Sequence, residues 1–300
     1  MKKWLLVPFI GLLAVGIVLA GCSSTTTTAT TTATTTATTT KTSVSTTTAT
    51  TTATTTLLSG TITEAGSTTV QPLAEKMAAA FQLQNPDVEI IIQGGGSSVG
   101  IKSAADGTVD IGAASREVKS SDPAVQKYIL ARDGIGIIIS PQNTGVANLT
   151  KAQIKDIFSG AITDWSEVGG AAGAIHVVAR EEGSGTRSAF EELVMGEDAA
   201  IVKTAILQSS NGALKQVVTG DKLAIGFVSL GYVDTTVKAL SVDGVAPSQD
   251  NASSGTYPII RPLYFVTKEP ATGLVKAFLD FCQGTEGQQI AVAEGYVPGK

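Results

Sequence analysis

The sequence predicts an α/β protein of two lobes with a cleft between them. Three observations carry this. Four segments repeat one design, an apolar strand that runs into a Gly/Ser/Thr turn and then a helix. Strands alternating with helices imply parallel sheets covered on both faces. Two apolar segments, "GIGIIISPQN" and "YPIIRPLYFVTKEPA", read as connectors that leave one lobe and return to it. Two crossing strands of this kind make a hinged clamp. Beyond a low-complexity start, about 240 residues remain, enough for two such lobes. The expected division is 57–138 with 262–300 for lobe I and 139–261 for lobe II, behind leading segments 1–21 and 22–56.

The elements follow in chain order. Lys2 and Lys3 precede an apolar run from Trp4 to Ala20, which ends in Leu19-Ala20-Gly21-Cys22. A basic start, an apolar stretch and small residues before a cut site make a secretion signal. The Cys directly after "LAG" makes 1–21 a lipoprotein signal peptide and Cys22 the lipid-modified N-terminus. A plain transmembrane anchor is the competing reading. Both place the domain outside the cytoplasm and tether it to a membrane, at the cell surface or in a periplasm. Residues 22–56 are a Thr/Ala tract with "TTTA" repeating in its first part. Such a tract buries too little to offset the entropy of ordering, so a disordered stalk is expected, flexible or O-glycosylated.

"SGTITEAGSTTVQPLAEKMAAAF" reads as strand, small polar loop and helix. Pro72 suits the first helical turn, and Leu73, Met77, Ala80 and Phe81 make one apolar face. "VEIIIQGGGSSVGIKSAADG" repeats the pattern, and "VDIGAASREVKSSDPAVQKYIL" repeats it more loosely. "IHVVAREEGSGTRSAFEELVMG" is the fourth instance, with Phe190, Leu193 and Val194 on the helix side. "SSNGALKQVV" reads as a helix start and "AIGFVSLGYV" as a buried strand and turn, both structural. Trp165 is expected in core or hinge packing. In "LVKAFLDFCQG" Leu274, Phe278 and Cys282 recur every four residues, which makes Cys282 a small core residue. The chain has two cysteines, so lipid on Cys22 leaves no disulfide.

The formal net charge is −5, and no basic stripe exists, which argues against nucleic-acid binding. An acidic protein still binds a small anion where local dipoles and one or two cations are well placed. Loops at the carboxyl ends of parallel strands converge on one crevice. Helix N-termini there carry unsatisfied N–H groups, and Ser and Thr cap them. One such turn is ordinary capping; four in one chain can face a single anion.

The most telling segment is "VVAREEGSGTRS". Arg180 follows the strand directly, and a guanidinium matches phosphate oxygens bidentately. Glu182 is a carboxylate beside an anion site. That makes sense if the anion carries a proton, because an ionised carboxylate purely accepts. Protonated phosphate has a hydrogen to give, and sulfate has none. The bland alternative is a surface Arg–Glu pair of little worth.

A hydrolase reading starts from Gly96-Ser97-Ser98-Val99-Gly100, which fits G-x-S-x-G with Ser98 as nucleophile. The one histidine, His176, lies in a strand upstream of the expected site, and no "HGGG" segment is present. A Ser–Lys dyad through Lys102 is the remaining route. No Cys/His/Asp cluster has metal-ligand spacing.

In order and spacing, "AGSTTVQPLAEKMA", "QGGGSSVGIK", "DIGAASRE", "LTKAQIKDIFSGAITDWSEVGG", "VVAREEGSGTRSAFEE" and "AIGFVSLGYV" resemble the phosphate-binding protein family of high-affinity phosphate ABC transporters, PstS. The resemblance spans the whole folded region. It implies a type II periplasmic-binding-protein fold and a monomeric, non-enzymatic solute-binding protein without a cofactor. It implies phosphate held dehydrated between the lobes and passed to permease subunits in the membrane. Sulfate or molybdate is the alternative ligand. Carried over position by position, the resemblance assigns Ser67, Thr68 and Thr69 from the first loop. Ser97, with Ser98 and Gly96 shaping the helix start, comes from the second, and Ser115 from the third. Arg180, Glu182, Ser184, Gly185 and Thr186 come from the second lobe. Two positions depart from the family: Ser115, where some members have an aspartate, and Glu182, where an aspartate is often found. Arg116 either touches phosphate or pairs with Glu182, and pairing is the preferred expectation.

Overall fold

A computed structural model describes residues 58–299. The expected signal peptide and stalk, with Cys22, lie outside the described residues.

The first lobe opens with β1 (Gly60–Gly66), α1 (Gln71–Gln84), β2 (Val88–Gly94), α2 (Ser97–Asp106) and β3 (Ile111–Ala114). The long strand β4 (Gln126–Ile139) then leads to β5 (Asn148–Leu149), α3 (Lys151–Ser159), β6 (His176–Arg180) and α4 (Gly185–Phe190). Next come β7 (Ile206–Gln208), α5 (Asn211–Gly220), β8 (Ala224–Ser229), β9 (Lys238–Ala239), β10 (Ser241–Val242) and α6 (Gln249–Ser253). The chain returns through β11 (Ile260–Thr267) and ends with α7 (Gly273–Gln283), α8 (Thr285–Ala293) and β12 (Val297–Pro298).

The main sheet runs β2-β1-β3-β11-β4-β8-β6-β7, with β9 and β12 also paired to β4. The two outer trios are parallel, as the alternating pattern predicts. The returning strand β11 and the outgoing strand β4 lie antiparallel to each other and join the trios into one curled, mixed sheet. Register sets where the site forms. Gly66 stands opposite Gly94 and Ala113, so the loops after β1, β2 and β3 leave from one edge. Arg180 stands opposite Gln208, so β6 and β7 also end level.

Each lobe has its own core. Ile62, Leu73, Met77, Phe81, Phe265 and Phe278 pack together in the first, with Phe81 edge-on to Phe278 at 5.4 Å. Ile135, Ile137, Phe158, Trp165, Phe190 and Phe227 pack in the second, where Phe190 stacks on Phe227 at 4.2 Å. Cys282 is a buried part of the first core. Leu130 and Ala131 belong to the first core and Ile135 to the second. The chain therefore changes lobes around Asp133, earlier than the 138/139 division suggested by the apolar run.

The third segment differs from its expected form. No helix follows Ser115; "QKYIL" is the start of β4. Tyr128 and Ile129 suit a strand, and β11 is there to pair with it.

One buried group is costly. Glu64 lies on β1 two residues after core residue Ile62, and its Oε2 is buried without a hydrogen-bond partner among the described residues. Burial raises its carboxyl well above the usual range, and Glu75 adds to the effect. Below that range both folded and unfolded chains hold the proton. As pH rises the unfolded chain ionises first, so stability falls until the folded carboxyl titrates too. Glu64→Gln should therefore leave the melting midpoint near pH 4 unchanged. At pH 8 it should raise it, by about 2–4 °C per kcal/mol recovered. Equal shifts at both pH values would show that Glu64 carries no such linkage.

Candidate functional site

Three loops of the first lobe and the starts of α4 and α5 from the second meet in a buried polar cluster. Ser67, Thr68, Thr69, Ser97, Ser115, Arg180, Ser184, Thr186, Asn211 and Ser229 are all buried there. Ser67 Oγ accepts from the N–H groups of Thr69 and Val70, which fixes the turn into α1. Ser184 caps α4 by accepting from the Arg187 N–H. The N-terminus of α2 has no side-chain cap. Gly96 precedes it with φ +90°, a conformation that L side chains rarely adopt.

The two lobes touch directly through this cluster. Ser98 N–H donates to Gly183 O at 3.1 Å. The Thr69 and Thr186 hydroxyls lie 3.0 Å apart. Asn211 Nδ2 donates to Thr69 Oγ1 at 3.0 Å and to Thr68 Oγ1 at 3.3 Å. Tyr232 donates its hydroxyl to Thr68 O at 2.8 Å. A Cβ on Gly185 would stand 2.1 Å from Ser97 Oγ and 2.6 Å from Ser115 Oγ, so the bare Gly185 backbone packs against the opposite lobe.

Arg180 is 1% exposed. One edge of its guanidinium is spent. Nε and Nη2 grip the Glu181 carboxylate at 3.0 and 2.8 Å, and both also donate to the carbonyls of Gln208 and Ser209. Nη1 is buried and has no partner among the described residues. A buried donor left unpaired is expensive. Arg261 supplies a second buried cation. Nε and Nη2 bind Asp133 Oδ2 at 3.1 and 2.8 Å, and Nη2 also reaches Thr69 Oγ1 at 3.1 Å. Burial raises the Asp133 carboxyl, while Arg261 pulls it back down.

Two expectations change here. Arg116 does not pair with Glu182. It binds Asp122 bidentately at 2.7 and 2.9 Å and donates to Ser98 Oγ at 3.2 Å. This pairing lowers the Asp122 carboxyl. Glu182 is exposed, and the carboxylate on Arg180 is its neighbour Glu181. The strand ends at Arg180, where the alternation of sides that would place a following carboxylate stops.

Among the described residues Ser98 Oγ has no histidine, lysine or carboxylate as a hydrogen-bond partner. Its Oγ accepts from Arg116, Lys102 is held by Asp106, and His176 pairs with Asp221 at the far end of β6. Asn211, Ser229, Asp133 and Arg261 were not foreseen. "SSNGALKQVV" and "AIGFVSLGYV" are structural elements, but each also delivers a side chain to the cluster. The available signal was a polar residue next to a helix cap and another at a strand end.

The sequence profile of the PBP superfamily domain matches residues 23–286. The phosphate-binding protein PstS of Bacillus subtilis (strain 168) is 35% identical over 246 residues, 80% of this chain and 81% of that protein. The chain belongs to the PstS family of phosphate-binding proteins. A PstS of Borreliella burgdorferi is 27% identical over 79% of this chain and 89% of its own length. Among solved structures, a putative phosphate ABC transporter substrate-binding protein from Clostridium perfringens, with bound phosphate, superposes with TM-score 0.78. It is 40% identical and matches over 80% of this chain and 100% of its own. PstS relatives are non-enzymatic solute-binding proteins, and the G-x-S-x-G match in "GSSVG" is a coincidence of a strand-to-helix turn.

Proposed function

We propose that this chain captures inorganic phosphate between its lobes and delivers it to the permease of an ABC importer. The observation that carries the reading is Arg180 Nη1, a buried cationic donor without a partner among the described residues. Buried hydroxyls come from both lobes. Ser67, Thr68, Ser97, Ser115, Ser184 and Thr186 supply further donors, and Gly185 lets the lobes approach. The PstS relatives support phosphate over sulfate or molybdate as the oxyanion. The protein works outside the cytoplasm as a monomer, tethered by lipid on Cys22. Cys22→Ala should release it from the membrane fraction.

Calorimetry with phosphate, arsenate and sulfate tests the reading. Micromolar or tighter phosphate binding is expected, and its absence overturns the proposal. Discrimination against sulfate falls to Glu181. Its Oε1 lies 3.8 Å from where a Gly96 Cβ would stand, at the uncapped start of α2. Both oxygens keep a spare lone pair for a proton on the ligand. Glu181→Gln should lower the phosphate-to-sulfate affinity ratio by about tenfold or more, the worth of one charged hydrogen bond. Glu182→Gln, at an exposed position, should leave the ratio within about twofold, as surface changes do. The reverse pattern would return the role to Glu182.

A further inference from the structure

We infer that Asn211 and Arg261 are positioning residues that fix the direction of the Thr186 hydroxyl, holding it as a donor toward the bound anion; this rests on the phosphate reading above. Five buried side chains form a closed hydrogen-bonded ring. Arg261 Nη2 donates to Asp133 Oδ2 and Ser229 Oγ donates to Asp133 Oδ1. Ser229 N–H donates to Asn211 Oδ1 at 3.2 Å. Asn211 Nδ2 and Arg261 Nη2 both donate to Thr69 Oγ1. The ring joins the two crossing strands, the first loop of one lobe and the start of α5 in the other.

The consequence follows from counting lone pairs. A threonine hydroxyl accepts two hydrogen bonds and donates one. Asn211 and Arg261 can only donate at these atoms, so they fill both acceptor sites of Thr69 Oγ1. The contact with Thr186 Oγ1 must then be made by the Thr69 proton. Thr186 accepts it, and its own proton is left free. Among the described residues Thr186 Oγ1 has no other partner. Its O–H is therefore a fixed, unspent donor in the buried polar cluster between the lobes. An anion oxygen at that point must be unprotonated.

Inverting Asn211 tests this. Asn211→Asp is nearly isosteric but presents an acceptor. Thr69 would donate to it, Thr186 would donate to Thr69, and Thr186 would turn a lone pair to the anion. Calorimetry with inorganic phosphate on wild type, Asn211→Asp, Thr69→Val and the double variant reads the wiring. Asn211→Asp should weaken phosphate binding about 10- to 100-fold, the effect of one hydrogen bond to a charged group. In the Thr69→Val background most of that loss should disappear, because the relay runs through the Thr69 hydroxyl. A loss undiminished by Thr69→Val would mean through-space repulsion by the new carboxylate and overturns the inference alone. If the wild-type chain binds no phosphate, the phosphate reading falls and this inference with it. Should Asn211→Asp fail to fold, Asn211→Leu takes its place. It removes the donor without adding a charge, and its smaller loss must likewise vanish with Thr69→Val.

Discussion

Replacing Arg180 with methionine is expected to weaken phosphate binding by roughly 30-fold to several-thousand-fold. The range corresponds to about 2–5 kcal/mol for truncating one partner of a buried, hydrogen-bonded charge pair. The loss has two sources. The anion loses a buried guanidinium donor that, among the described residues, has no other partner. Glu181, held by Nε and Nη2, is also left beside the anion with no cation to neutralise it. The second source makes Arg180→Met worse than the simple absence of a contact. Arg180→Lys separates charge from shape. A lysine keeps the positive charge but cannot grip Glu181 and reach the anion at once, so it should recover only part of the loss. Calorimetric affinities for the three proteins decide the matter. Full recovery by lysine would mean that a point charge suffices and that the fork geometry plays no part.

How much of this was legible in the sequence depends on how far each contact reaches along the chain. The strand–turn–helix units are local, so periodicity and turn chemistry revealed β1, α1, β2, α2, β6 and α4. Arg180, Ser184, Gly185 and Thr186 were legible for the same reason, since they follow one strand and start one helix. The start of β4 was misread because Gln126–Leu130 becomes a strand only by pairing with Tyr264–Thr267 far downstream. Asp133 and Arg261 were invisible on similar grounds. They are 128 residues apart, and nothing near either one announces a buried partner. Asn211 looked like the first residue of a capped helix, which it is, while its side chain reaches across to the other lobe. The choice between Glu181 and Glu182 required knowing where β6 stops. Two adjacent carboxylates are equivalent on paper, yet Glu181 grips Arg180 and Glu182 is exposed.

Gly185→Ala is the case where stability and binding should move in opposite directions. Gly185 opens α4, where alanine is favoured over glycine by roughly 0.5–1 kcal/mol. Lobe II should therefore be as stable as before or slightly more so. Closure is another matter. The added methyl would stand 2.1 Å from Ser97 Oγ, 2.6 Å from Ser115 Oγ and 2.9 Å from Ser97 Cβ, all on the opposite lobe. A hydroxyl can rotate away, but the Ser97 Cβ is fixed to the start of α2. Ser97 Oγ is also tied down, since it accepts the Ser115 N–H at 2.9 Å. Relieving the overlap means separating the lobes, which would break Ser98 N–H to Gly183 O and the Thr69–Thr186 contact. Overpacking of this kind costs about 1–3 kcal/mol, so phosphate affinity should fall by about 5- to 150-fold with no loss of melting temperature. Small-angle scattering should show wild type becoming more compact on adding phosphate and Gly185→Ala staying extended. Adding Ser97→Gly removes both the hydroxyl and the Cβ that the new methyl meets. The double variant should then close again and regain part of its affinity. Failure to regain any would mean that Gly185 serves the ligand through its backbone, not through the space it leaves between the lobes.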